Sequence, residues 1–357
     1  MQPFSETYFL QNSPFQTYDQ DWARVHEIQV TQESSSSETP LDAPTILTLA
    51  DLRQLIRQPV EVFFKARLRV RLDTVDELGQ LEEPFSLNGL EQYQAGQDLL
   101  NAGEMPQAIE KLTLSGKLPT AAFGTRLADE LQEKTQVVLD RQAKWKPHYP
   151  NSLPAQSIAL NIGGIALTGT LEGLWSGNAA WLQLNQRVGA VLEGEEDAQT
   201  ARCHVVASLW VNHLVACASG MPVTSVQLGL DGQVVFNTLN QEEALDILGR
   251  LVKVYRAAWA RPLPVACKTA WVYLQAERHA ERLAANNPDK EPKDPHEAAQ
   301  NVFDGGYYAG ERTESAYLAR TFESYDDIAL ELPGWAKLLY GDMAQHVQLA
   351  TSAGVFA

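Results

Sequence analysis

Residues Gly169 to Arg187 carry the outline of a site that holds a divalent metal over a phosphodiester, with most of its charge removed. Glu172 follows Gly169-Thr170-Leu171, and a turn comes at Ser176-Gly177-Asn178. The apolar run Ala180-Trp181-Leu182-Gln183-Leu184 then leads into Asn185-Gln186-Arg187. Metal-assisted phosphodiester cleavage needs clustered carboxylates with a cation beside them, and the spacing here resembles an acid ending one strand with an acid-x-Lys triplet about a dozen residues later. Mg²⁺ is a hard cation that takes oxygen ligands, commonly one or two carboxylates with waters and substrate phosphate. The lysine helps place the attacking water and offsets developing charge. Asn185 offers a neutral carbonyl where an anion belongs, and Arg187 keeps its proton at any working pH. Loss of one positioned acid–base group alone typically costs about 10²- to 10⁴-fold in rate, and here the ligand set is damaged as well. The residues predict a nuclease-like pocket that does not cut, with Glu172 an ordinary polar residue beside a turn.

Other chemistry fails sooner. Gly116-Lys117 is followed by Leu118 where a phosphate loop needs Ser or Thr, and Lys111 stands where its first glycine belongs. Cys203 and His204 are neighbours in sequence, which does not make a nucleophile and base. His213 and Trp210 lie in an apolar helical run and read as core. GxSxG and GxGxxG are absent, and the seven histidines lack zinc-type spacing. No cofactor or metal is expected. Three cysteines without CxxC spacing suit a reducing cytoplasm. Neither a signal peptide nor a membrane span is visible.

The net charge of −17 has the wrong sign for a protein that wraps nucleic acid unaided. Any DNA contact must use a local basic strip or partner subunits. The richest strip is Lys65, Arg67, Arg69 and Arg71, alternating with Ala66, Leu68, Val70 and Leu72. That alternation predicts a strand or extended segment with one basic and one apolar face, either solvated or in contact with DNA or a partner.

The elements that must position these groups divide as follows. Residues 1–30 are aromatic-rich and are expected to pack on a neighbouring domain or on the body of this one. Residues 31–47 read as a flexible linker, with four serines at 34–37 and Pro40 and Pro44. The body, 48–357, opens with a helix capped by Thr48 and Asp51. A helical insertion occupies about 85–145, broken by Gly103, Pro106, Gly116 and Pro119. Alternation then predicts strands around a Gly163-Gly164 hairpin turn and a third ending at Leu184. An apolar helix follows over about 201–218, then a strand over 226–230 with a turn at Asp231-Gly232. Asn240 with Glu243 caps a long helix that Pro262 stops. The Pro-rich stretch 286–295 and the acidic run 193–197 read as loops. Helix, three strands, helix, strand is the order of the PD-(D/E)xK nuclease core. The expected fold is therefore α/β, a nuclease-like mixed sheet flanked by helices, with an added helical region.

The chain resembles the C-terminal part of RecC, the gamma subunit of exodeoxyribonuclease V, the RecBCD helicase–nuclease. The resemblance begins at Gln2-Pro3-Phe4-Ser5 and Tyr8-Phe9, and resumes at Pro59-Val60, Phe63-Phe64 and Arg67-Leu68. It is densest at Glu83-Pro84-Phe85, Gly89-Leu90, Tyr93-Gln94, Leu118-Pro119 and Ala122-Phe123-Gly124. Thr168-Gly169, His213-Leu214-Val215 and Cys217-Ala218-Ser219-Gly220 continue it, and it fades after about 275. It implies a piece of a much longer subunit, with Met1 at a truncation, and a nuclease-like domain related to that of RecB but lacking activity. Active relatives carry a histidine four residues after the glycine that opens the early helix; counted from Gly124, this chain has Ala128. The implied role is a scaffold that contacts RecB-like and RecD-like subunits, helps split the duplex and channels its strands in double-strand break repair. Two rivals stand beside it. One is a metal-dependent nuclease with atypical ligands, Glu172 joined by an acid such as Asp140; the other is a protein-interaction module without DNA contact.

Overall fold

A computed structural model describes residues 43–72, 87–119, 121–177, 180–194, 199–286 and 292–350. The expected aromatic leader, most of the linker, and the centres of the loops at 193–197 and 286–295 lie outside the described residues.

The short strand β1 (Ile46–Thr48) runs directly into α1 (Leu49–Arg57). Thr48 Oγ1 accepts from Asp51 N at 3.2 Å while Asp51 Oδ2 accepts from Thr48 N at 2.7 Å, the reciprocal cap expected from sequence. Leu49, Leu52, Leu55 and Ile56 then turn inward at helical spacing. After a short turn the chain enters a π-helical segment, Val62–Arg67, and this corrects the predicted basic strand. Leu68 N bonds back to Phe63 O at 3.0 Å, and Val70 N to Phe64 O at 2.9 Å. With those amides used locally and no strand alongside, the alternation has no two-faced environment, and Leu68 and Val70 are exposed beside Arg69 and Arg71.

The helical insertion consists of α2 (Gly89–Asn101), α3 (Met105–Leu114) and α4 (Ala121–Trp145). Its breaks coincide with the Gly103–Pro106 and Gly116–Pro119 signals. Leu99, Leu112, Leu118 and Leu131 gather into a small core of their own. Gly124 cannot be replaced without backbone movement, because a Cβ there would fall 1.9 Å from the Pro119 carbonyl oxygen.

Strands β2 (Asn151–Ser152), β3 (Gln156–Ile162) and β4 (Ile165–Leu171) follow. Gly163 and Gly164 join β3 to β4 with φ of 57° and 81°, a turn open mainly to glycine. Next come β5 (Leu174–Ser176), β6 (Trp181–Gln186), β7 (Leu192–Glu193) and β8 (Thr200–Ala201). Helix α5 (Cys203–Ala218) is buried almost all round, as its unbroken apolar sequence requires. Beyond it lie β9 (Val223–Leu228), β10 (Gln233–Phe236), α6 (Gln241–Ala260), α7 (Cys267–Asn286) and α8 (Pro295–Asp304). Several short helical turns lead to a closing strand, β11 (Val347–Ala350).

The strands expected as one series divide between two sheets. One sheet has the order β1-β4-β3; the other runs β11-β10-β9-β6-β5-β2, with β7-β8 a separate pair. Parallel pairing joins β1 to β4 (Ile46 opposite Ala166) and β6 to β9 (Asn185 opposite Gln227); the other strand pairs are antiparallel. Thus Ile46 and Leu47, placed in the linker by composition, are strand residues fixed by a partner more than a hundred positions away. The largest core joins α1, α5, α6 and α7 to the sheets around Trp210, Trp271, Phe236 and Tyr340. A second core lies between the six-stranded sheet and α4, where Leu182, Leu184, Val226 and Leu228 meet Val138 and Trp145. No helix among the described residues is long and apolar enough to cross a membrane.

Candidate functional site

Alternation along β6 sends Leu182 and Leu184 into the α4-side core, leaving Gln183 and Asn185 on the opposite face. In the parallel register Gln183 stands opposite Ser225 of β9 and Asn185 opposite Gln227. Gln183, Ser225 and Gln227 are buried. Opposite them, α5 contributes His213, fully buried, and Asn212. His213 Nε2 lies 3.0 Å from the Asn237 carbonyl, which can only accept, so that nitrogen carries the proton. Nδ1, 3.0 Å from Ser225 Oγ, then accepts from the hydroxyl. This is a neutral imidazole; burial, with the nearby His346 ring adding to it, pushes its pKa down to about 4. His213 and Trp210 are therefore core residues, as their apolar helix predicts.

The two halves of the predicted pocket do meet at the backbone. Gln183 Nε2 reaches the Glu172 carbonyl at 3.5 Å, and Leu184 N donates to the Gly173 carbonyl at 3.1 Å. The first acid position thus sits beside β6, next to the triplet. The Glu172 side chain is exposed, and its charge is felt by Arg53. Arg53 Nε donates to Asn212 Oδ1 at 2.7 Å; burial lowers its pKa and Glu172 opposes that shift. Among the described residues the site face is therefore built from neutral amides and a hydroxyl, with one carboxylate and one guanidinium at its edge.

The remaining positions are elsewhere. Arg187 places its guanidinium 5.1 Å over the Tyr93 ring of α2. Ala128 is packed in the helical insertion's core, and Asp140 is exposed on α4, accepting from Gln136 Nε2 at 2.7 Å. Among the described residues no group of three or more His, Cys, Asp or Glu is placed to hold a metal ion.

The basic strip is similarly dispersed. Lys65 pairs with the buried Glu61 at 2.6 Å and lies 5.2 Å over the Tyr317 ring. Arg67 donates to the Ala260 carbonyl at 2.6 Å and stands 5.5 Å over Phe63. Arg69, in the left-handed region at φ 55°, and Arg71 are exposed. Arg53, Asn212, Gln183, Ser225 and Gln227 were missed from sequence, although polar residues at alternate places in Trp-Leu-Gln-Leu-Asn and Val-Thr-Ser-Val-Gln were a readable signal.

A family model described as the RecC C-terminal domain matches residues 44–278. The chain is similar to the RecBCD enzyme subunit RecC of Escherichia coli K12, 29% identical over 257 residues, covering 70% of this chain and 21% of that protein. The protein of the same name from Mycobacterium tuberculosis H37Rv is 23% identical over 257 residues, covering 68% and 22%. That of Buchnera aphidicola is 21% identical over 229 residues, covering 62% and 20%. The chain spans about a fifth of the length of these curated relatives.

Proposed function

The chain belongs to the family of RecC C-terminal domains, and from that premise we propose that it is a non-catalytic, nuclease-like scaffold of a RecBCD-type helicase–nuclease. In this reading it contacts RecB-like and RecD-like motor subunits in the cytoplasm. There it guides or splits DNA during double-strand break repair, and cleavage is left to a partner. A PD-(D/E)xK ancestry is the finer part of the proposal. Its support is the adjacency of the Glu172 backbone to β6 together with the parallel β6–β9 pair that carries Asn185 and Gln227.

One observation carries the non-catalytic assignment: the face where ligands would converge holds Gln183, Asn185, Ser225 and Gln227, and Glu172, whose charge Arg53 feels, is the one carboxylate placed at its edge among the described residues. A divalent cation there would lose most of its water for neutral donors and one anion, too little charge to hold it against phosphate. The partner-facing side is proposed to include Arg69 and Arg71 with exposed Leu68 and Val70, a mixture of cation and apolar surface. Lys65 and Arg67 support that segment from within.

The test is incubation of the purified chain with linear duplex and forked DNA in Mg²⁺ or Mn²⁺, alongside Mn²⁺ titration calorimetry. Intact DNA and no saturable ion binding are expected. Cleavage that disappears in Glu172→Ala would overturn the proposal. Co-purification with the motor subunits, lost in Arg69→Glu/Arg71→Glu, checks the docking surface.

A further inference from the structure

A cleft of about 580 Å³ opens between the helical insertion and the body, and its lining is unlike the rest of this acidic molecule. Helices α2 and α4 form one wall with Tyr93 and Lys134; the other carries Arg57 at the end of α1, Arg187 after β6, and His204 at the start of α5. Among the described residues three permanent cations line it and no carboxylate does, in a chain of 45 acids and 28 bases. Asp231 is a carboxylate whose charge Arg187 feels, and it is occupied by the amides of Val191 and Leu192 at 2.8 and 3.0 Å.

Arg187 is held ready there. Its guanidinium is braced over Tyr93, and its Nε is buried with no hydrogen-bond partner. Gly189 makes room for it, since a Cβ at that position would come within 3.0 Å of Nε and Nη2. A half-buried cation with an unused donor is costly unless an anion offsets it. His204, in the same cleft, reports the positive field: burial first, then Lys268, Arg187, Arg202 and Arg57, depress its pKa to about 4. Beside the cations lie apolar surfaces, among them Leu90, which is 64% exposed, and Leu230.

We propose that this cleft is a phosphate-binding site for single-stranded nucleic acid, with Arg187, Arg57 and Lys134 on the phosphodiester and Leu90 and Leu230 under the adjoining sugar or base. The inference rests on the DNA-guiding reading above and adds the site and the residues that hold the strand. Paired planar guanidinium groups suit phosphate oxygens. The volume matches small-ligand clefts of about 300–1,000 Å³ and admits a nucleotide, not a double helix. Cations flanked by apolar and aromatic surface are the usual composition of single-strand grooves.

The test uses the whole chain and a labelled oligothymidylate, followed by fluorescence anisotropy across a salt series. Arg187→Gln is expected to weaken binding about tenfold and to reduce the slope of log affinity against log salt by about 0.7, one phosphate contact. Lys134→Gln, at an exposed position that does not threaten folding, should act in the same direction; Arg320→Gln, an equal charge change at another exposed position, should not. Nuclear magnetic resonance of His204 should show its pKa rising by about one unit when the thymidine dinucleotide 5′-phosphate is added. Equal losses in all three variants, an unmoved His204, or wild-type binding too weak to measure at low salt would each overturn the site. So would a polyglutamate peptide that displaces the oligonucleotide at matched charge concentration, which would mark a docking site for an acidic protein segment. These failures leave the scaffold reading standing if the assembled complex still crosslinks forked DNA to another part of this chain; absence of any crosslink would remove both.

Discussion

Acidification should unlock the centre of the molecule through His213, and the size of the effect follows from its surroundings. The ring is fully buried between Ser225 and the Asn237 carbonyl, with Trp210 stacked at 5.8 Å and Cys217 Sγ at 3.7 Å. Its folded pKa is about 4, below the ordinary value of 6.5. As pH falls through 6.5 the unfolded chain takes the proton first, so the stabilisation is complete above that value, declines between 6.5 and 4, and is gone below 4. At pH about 5 the loss amounts to about 2 kcal/mol, and the full span is worth about 3 kcal/mol at 1.36 kcal/mol per pH unit. Urea denaturation of the wild type and His213→Gln at pH about 7.5 and about 5 isolates this group, because the other titrations, including His204, cancel between the two proteins. The variant should be less stable at neutral pH and should lose about 2 kcal/mol less on acidification. An identical pH dependence in both proteins would show that the imidazole is not held neutral by burial.

Introducing an acid-x-Lys triplet with Asn185→Asp and Arg187→Lys should leave linear DNA uncut in Mn²⁺, since Gln183 and Gln227 still supply no charge; cleavage in a gel assay would contradict this. Glu311, which accepts from Lys268 N, Thr269 N and Thr269 Oγ1 at 2.8–2.9 Å, fastens the start of α7. Replacement by alanine is expected to lower unfolding free energy by about 2–4 kcal/mol, read from denaturant midpoints. Gly124→Ala drives a methyl into the Pro119 carbonyl and should cost about 1–3 kcal/mol, with hydrogen exchange rising first in the helical insertion.

What could be read from sequence was local. The Thr48–Asp51 cap, the Gly163-Gly164 turn and the Asn240–Glu243 cap each depend on residues within a few positions, and each is present as predicted. The Lys65–Arg71 strip misled because alternation specifies a strand only if another strand lies beside it, and these amides turn back on their own chain. Ile46 and Leu47 erred the other way, since their partner in β4 is far along the sequence. For the site, that position 185 holds an amide and position 187 an arginine was visible in residue type alone. The company kept by Arg187 was not, because Arg57, Lys134 and His204 come from three helices spread along the chain and are neighbours only once the insertion folds over the body.

The closing strand β11 has a practical meaning for where this protein can be divided. It covers β10 in register from Gln233–Ala350 to Phe236–Val347, and the segment before it supplies Tyr340, whose hydroxyl donates to the Ile56 carbonyl at 2.8 Å. A polypeptide ending at residue 278, where the family match stops, would leave an apolar β10 border open to pairing with other chains. Emergence of residues 347–350 during synthesis is accordingly the event that covers β10, and versions cut before them should be recovered as aggregates.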